Sequence, residues 1–119
     1  MNNIINDKKD IPSLDSIIEC ARNAGKTAMR YFRHNDRMEM HNKLNDSDIV
    51  TTADNECESY IKEFIKSHYP SHSILSEESG ETQGIATYRW VIDPIDGTTN
   101  FFSGIPLWGI SIGVELNGE

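Results

Sequence analysis

The run Trp90-Val91-Ile92-Asp93-Pro94-Ile95-Asp96-Gly97-Thr98-Thr99-Asn100 limits what this chain can fold into more than any other segment. Arg89 to Ile92 reads as a buried strand, because consecutive large apolar residues suit a two-sided core position. Two carboxylates three apart then leave its end. Pro94 fixes φ between them, and Gly97 frees the backbone just after. Thr98, Thr99 and Asn100 follow with hydroxyls and N–H groups, so the spacing predicts a strand-to-helix elbow over 93–100. A helix start attracts anions, and carboxylates are ligands for hard cations. Side by side, they point to Mg²⁺ and a phosphate.

A second acidic feature lies 16 residues upstream. Glu77 and Glu78 end a short apolar strand candidate, Ser73 to Ser76. If the two strands are sheet neighbours, Glu77 reaches Asp93 and shares an ion with it. Glu77, Asp93 and Asp96 are then expected to converge.

The rest of the chain supplies a scaffold. Leu14, Ile17, Ile18, Ala21, Ala24, Ala28 and Phe32 mark a helix from Ser13 to about Phe32, with Pro12 and Ser13 at its start. Met1 to Asp10 reads as a loose polar terminus. Asn35 to Asp48 reads as a turn, then a strand or hairpin ending near Val50-Thr51. Thr52 or Asp54 caps a second helix, striped by Cys57, Tyr60, Ile61, Phe64, Ile65 and His68 and stopped by Pro70. Gly80 to Thr87 reads as a polar loop. Trp108 to Leu116 alternates large with small or polar residues, as a strand with one buried face does. Asn117-Gly118 is then a strong hairpin-turn signal.

Composition narrows the function. With 119 residues there is room for one domain or part of one. Eleven basic against nineteen acidic residues leave a formal charge of −8. That disfavours direct nucleic-acid binding, which needs a basic face, and docking on anionic membranes. The sequence shows no apolar stretch of membrane-spanning length and no apolar leader near Met1. Cys20 and Cys57 lack metal-ligand spacing and read as small core hydrophobes, so a cytoplasmic protein with reduced thiols is expected. Two other metal readings fail. Pro70 separates His68 from His72, so they cannot share a helix face. Asp46-Ser47-Asp48 begins like a calcium loop, but position six is Thr51 rather than Gly.

Three blocks resemble the inositol monophosphatase family of Mg²⁺-dependent, lithium-sensitive sugar phosphatases. They are Ile74 to Gly80 with its Glu-Glu-Ser, Trp90 to Phe101 with its Asp-Pro-Ile-Asp-Gly-Thr-Thr-Asn, and Lys43 with Asp48, Val50, Thr51 and Asp54. The resemblance implies an α+β fold, the layered α-β-α-β-α sandwich. Residues 1–119 would be the N-terminal part of that single domain, two helices on a mainly antiparallel sheet. It implies a first Mg²⁺ held by Glu77, Asp93 and the Ile95 carbonyl, and a second held by Asp93 and Asp96. Gly97 and Thr98 would bind the substrate phosphate through their N–H groups, beside Asp96 and Glu77. Thr98 and Asp54, with Glu77, would position the attacking water. The family's second metal also takes an aspartate from a later Trp-Asp-x-Ala-Ala-Gly block, which these residues do not contain. The 119-residue chain is therefore expected to be a weak phosphatase alone.

The implied reaction is hydrolysis of a small phosphorylated substrate, inositol monophosphate first, by a homodimer. Histidinol phosphate, or another sugar or nucleotide phosphate, is the alternative within the family. A catalytically inactive protein-binding partner is the alternative outside it. Clustered, self-repelling carboxylates favour chemistry over a scaffold.

Overall fold

The computed structural model describes residues 11–33, 46–77, 79–84 and 87–119. The polar terminus before Ile11, Lys43, Glu78 and most of the expected 35–48 hairpin lie outside these residues. Among these residues, seven elements follow in order. They are α1 (Leu14–Met29), α2 (Asp46–His68), β1 (Ser73–Ser76), β2 (Gly80–Thr82), β3 (Tyr88–Asp96), α3 (Thr98–Ser103) and β4 (Gly109–Leu116). The sheet order is β2-β1-β3-β4. β1 and β3 run parallel, whereas β1–β2 and β3–β4 are antiparallel. The fold is α+β as expected, with a mixed sheet and, among the described residues, a third, short helix.

Helix α1 starts at Ser13, whose Oγ accepts the Ser16 N–H at 3.1 Å. The stripe Cys20-Ala24-Ala28 is fully buried. Small side chains there let α2 come close, and the Cys57 thiol donates to the Ala24 carbonyl at 3.4 Å. Burial pushes both the Cys20 and Cys57 thiols up to about 12. Neighbouring acids add to this, Glu19 at Cys20 and Asp54 and Glu56 at Cys57. Both cysteines are free and buried, in keeping with core packing.

One face of the sheet packs on the helices. Its main cluster joins Cys20 and Ala24 to Ile61, Ile65, Trp90 and Ile92. Trp90 is fully buried, and its Nε1–H donates to His72 Nδ1 at 3.0 Å. Since indole nitrogen only donates, His72 accepts at Nδ1 and is committed to this core bond. A second cluster, with Phe32, Ala53, Cys57, Ile95 and Phe101, lies under the elbow. Phe32, Phe101 and Trp108 brace it, with ring centroids 4.9–5.5 Å apart.

Four expectations need correction. Helix α2 begins at Asp46, so Asp46 to Thr51 is helix rather than the end of a strand, and Thr52 and Asp54 do not cap it. β-Branched Ile49 and Val50 suggest a strand, but propensity is a weak prior. Within the expected 80–87 loop, Gly80–Thr82 forms the edge strand β2. Every β2 residue is exposed, so no hydropathy pattern marks it. Strand β3 extends past Ile92 to Asp96 because β4 pairs with it across a bulge. Helix α1 ends at Met29 rather than Phe32, and residues 30–33 form turns.

Candidate functional site

The parallel β1–β3 pairing decides where the acids go. Ser76 is in register with Ile92, and the Glu77 N–H donates to the Ile92 carbonyl at 3.3 Å. Register neighbours in a parallel pair project to the same side. Glu77 therefore leaves the end of β1 beside Asp93 on β3, as the shared-ion reading requires. Glu77 is exposed and Asp93 half-buried.

Asp96 joins them through a backbone irregularity. Residues three apart in an unbroken strand face opposite sides. Here the ladder shifts between the Asp93–Ser111 and Asp96–Gly109 pairs. The burial alternation breaks at the same place, since Pro94 and Ile95 are both buried. The bulge turns Ile95 into the helix-side core and leaves Asp93 and Asp96 both on less buried positions.

Next comes the elbow. Gly97 has φ +90, and an added Cβ would lie 3.0 Å from the Leu107 carbonyl oxygen. Left-handed backbone and close approach both require glycine there. Thr98 is the first residue of α3, not a mid-strand residue. The first N–H groups of any helix lack intrahelical partners. The first bond back into this turn runs from the Phe101 N–H to the Gly97 carbonyl, at 3.0 Å. Asn100 holds the loop after α3, donating from Nδ2 to the Leu107 carbonyl at 2.8 Å. Arg33 donates from Nε to the Gly104 carbonyl at 2.8 Å, which ties the end of α1 to α3.

Asp54 lies buried on α2. Its neighbour Ala53 packs with Ile95 and Phe101, so α2 passes directly beneath the elbow. Asp48, Val50 and Thr51 fall in the first turns of the same helix.

Sequence reasoning missed two residues at this edge. Glu58 on α2 accepts the Ser76 hydroxyl at Oε1, 2.9 Å away. Its other oxygen pairs with Lys62 at 2.9 Å. The Lys62 ammonium also donates to Ser79 Oγ at 2.6 Å. Burial alone would raise the Glu58 carboxyl, but the Ser79, Lys62 and Ser76 donors outweigh it and hold it below 4.5. In the sequence this pair reads as an ordinary i,i+4 helix pair. The available signal was the serine on each side of Glu77.

The donor set suits a hard cation. Glu77, Asp93 and Asp96 offer carboxylate oxygens, and Ile95 a main-chain carbonyl. Among the described residues, no three His, Cys, Asp or Glu side chains form a group that could hold a metal ion. The backbone thus sets these acids on one edge without drawing them into a closed cluster. No helix among the described residues is long and apolar enough to cross a membrane.

The chain is similar to several known proteins. The Nus factor SuhB of Escherichia coli is 39% identical over 109 residues, 91% of this chain and 40% of the relative. The crystal structure of the extragenic suppressor protein SuhB from Bartonella henselae superposes with a TM-score of 0.74 at 30% identity, over 89% of this chain and 40% of that one. Inositol monophosphatase from Anabaena (Nostoc) gives a TM-score of 0.71 at 38% identity, over 88% and 35%. The chain thus spans about two-fifths of the length of the curated relatives it matches. The profile of the inositol monophosphatase family matches residues 12–119. Together with the Asp-Pro-Ile-Asp-Gly elbow and its paired strand ends, that match means that the chain belongs to the inositol monophosphatase family.

Proposed function

We propose that this chain carries the metal- and phosphate-binding edge of a Mg²⁺-dependent phosphomonoesterase that converts inositol monophosphate to inositol and phosphate. One observation carries the reading. The parallel register of β1 and β3 sets Glu77 beside Asp93, and the bulge adds Asp96 to the same side. Three like charges on one edge repel one another, and a dication is the partner that offsets this.

Glu77, Asp93 and the Ile95 carbonyl would hold one Mg²⁺, and Asp93 and Asp96 a second. When bound, such ions lower the pKa of water, screen the phosphate and stabilise a leaving alkoxide. Gly97 and Thr98 present N–H groups to the phosphate at the start of α3. The Thr98 hydroxyl and the Asp54 carboxylate orient the attacking water, with Glu77 beside it. Phosphate monoesters hydrolyse so slowly unaided that accelerations approach ~10²¹. A general base alone gives ~10²–10⁴, so an acid-rich, base-poor edge suits metal-assisted hydrolysis.

Inositol monophosphate is favoured because Trp90 to Phe101 is closer to inositol monophosphatases than to relatives acting on nucleotide 3′-phosphates. Binding isotherms test the site. Wild-type protein should bind Mg²⁺, and Glu77→Gln or Asp93→Asn should weaken it at least about tenfold. Unchanged affinity in both variants would refute the assignment. The name Nus factor, carried by a 39% identical relative, favours a second reading, a protein-binding role in a larger assembly. Folded protein that binds neither Mg²⁺ nor phosphate would support that reading instead.

A further inference from the structure

The turn that carries Glu77 has little to hold it by packing. Glu77, Ser79 and Gly80 are all exposed. The two strands it joins have four and three residues, and the second is exposed throughout. Short polar turns of this kind sit at the low end of local stability. Yet a metal ligand must stay within about 0.5 Å of its working position.

What secures the turn comes from α2. Ser76, just before Glu77, donates to Glu58, and Ser79, just after the turn, receives the Lys62 ammonium. Glu58 and Lys62 pair with each other at 2.9 Å, with side chains only 12% and 21% exposed. Both carboxylate oxygens of Glu58 are therefore engaged. Glu58 follows Cys57, and Ile61 precedes Lys62; both of these neighbours are fully buried. The pair thus projects from a stretch of helix fixed by the core. An exposed i,i+4 pair contributes little to its helix. This pair does something else, because its remaining bonds leave the helix and grip both legs of one turn.

We infer that Glu58 and Lys62 form a clamp that positions Glu77 toward a divalent cation, an inference that rests, for its cation, on the proposed metal-binding role of Glu77. Neither residue touches the ion or the substrate. They are positioning residues acting through Ser76 and Ser79. Partners of this kind typically contribute 10–100-fold to metal affinity.

The test uses Glu58→Ala, Lys62→Met and Ser79→Ala, with two readouts other than turnover. The first is amide hydrogen exchange at Glu77 and Ser79 in metal-free protein. The second is Mg²⁺ affinity by calorimetry. Glu58→Ala should speed exchange at these amides while the Ile61 and Ile65 amides stay protected. It should also weaken Mg²⁺ about 10–100-fold. Glu58→Gln, which still accepts the Ser76 hydroxyl, should fall between. A merely structural pair would lower thermal stability and leave Mg²⁺ affinity alone, and that result overturns the inference. So does unchanged exchange at Glu77 in folded Glu58→Ala. If Glu58→Ala does not fold, Ser79→Ala removes one exposed hydroxyl and is judged by the same two readouts. Wild-type protein that binds no Mg²⁺, or Glu77→Gln that binds it as well as wild type, would sink the metal reading itself. The cation half of the inference then falls with it, and exchange alone decides whether the clamp exists.

Discussion

The Glu77 amide donates to the Ile92 carbonyl at 3.3 Å, one residue beyond the last paired residue of β1. This bond carries the parallel register past the strand end and fixes Glu77 next to Asp93. Two acids 16 positions apart in sequence are thereby set side by side by β1 and β3. The proposed sharing of an ion by Glu77 and Asp93 depends on that register.

Gly97 should be the most sensitive backbone position near the elbow. Its φ of +90 strains any other residue, and a Cβ would press on the Leu107 carbonyl and on Trp108. Gly97→Ala should lower the unfolding free energy by about 1–3 kcal/mol. Gly25→Ala is the internal contrast, because it lies mid-helix with nothing within 4 Å of an added Cβ. It should stabilise by about 0.5–1 kcal/mol. Urea denaturation of the two variants should move in opposite directions.

Glu58 should make stability depend on acid. Its folded pKa lies below its ordinary value of 4.5, so the folded state holds the proton less tightly than the unfolded state. The contribution is fully present above pH 4.5 and fades as pH falls through the folded pKa. Glu58→Gln should therefore be less stable than wild type at pH 7, and the two should converge below pH 4.5. Denaturant titrations across pH would check this. A gap that stays constant into acid would mean that the carboxylate charge contributes nothing.

Trp90→Ala should be severe. The side chain is fully buried among Ile61, Ile65 and Ile92 and donates to His72. Large aromatic truncations of this kind cost about 3–5 kcal/mol. Thermal unfolding should show the loss, with Mg²⁺ affinity preserved in whatever fraction stays folded.

Much of this was readable because local chemistry and tertiary structure agree. Ser13 caps α1, the Cys20-Ala24-Ala28 stripe is its buried face, and Gly97 turns the elbow. Asn117 and Gly118 both adopt positive φ, and the Glu119 N–H closes the turn on the Leu116 carbonyl, as an Asn-Gly pair should. What escaped notice is made by partners distant in sequence. Strand β2 exists because β1 offers an edge and because Arg89 pairs with Glu81 across the sheet. The bulge that brings Asp96 beside Asp93 depends on β4. Glu58 and Lys62 look like helix surface until Ser76 and Ser79 are seen against them.

Length should matter for activity. Of the ligands proposed for a second ion, the 119 residues contain Asp93 and Asp96 but no Trp-Asp-x-Ala-Ala-Gly block. Extended to the length of its relatives, the protein should release phosphate far faster than the 119-residue chain. Equal rates would mean that the missing carboxylate comes from elsewhere, such as a second subunit.

The strand-end acids at 77, 93 and 96 are proposed to run a Mg²⁺-dependent phosphate-ester hydrolysis. Its most direct measurement is phosphate release from inositol 1-phosphate in millimolar Mg²⁺, comparing wild type with Asp93→Asn in protein of the relatives' length. Turnover by wild type should stop with a chelator and return with added Mg²⁺, and Asp93→Asn should lose at least about 100-fold, the size of effect expected when charge stabilisation at a reacting centre is removed. Turnover that persists without Mg²⁺, or that Asp93→Asn leaves intact, would contradict it.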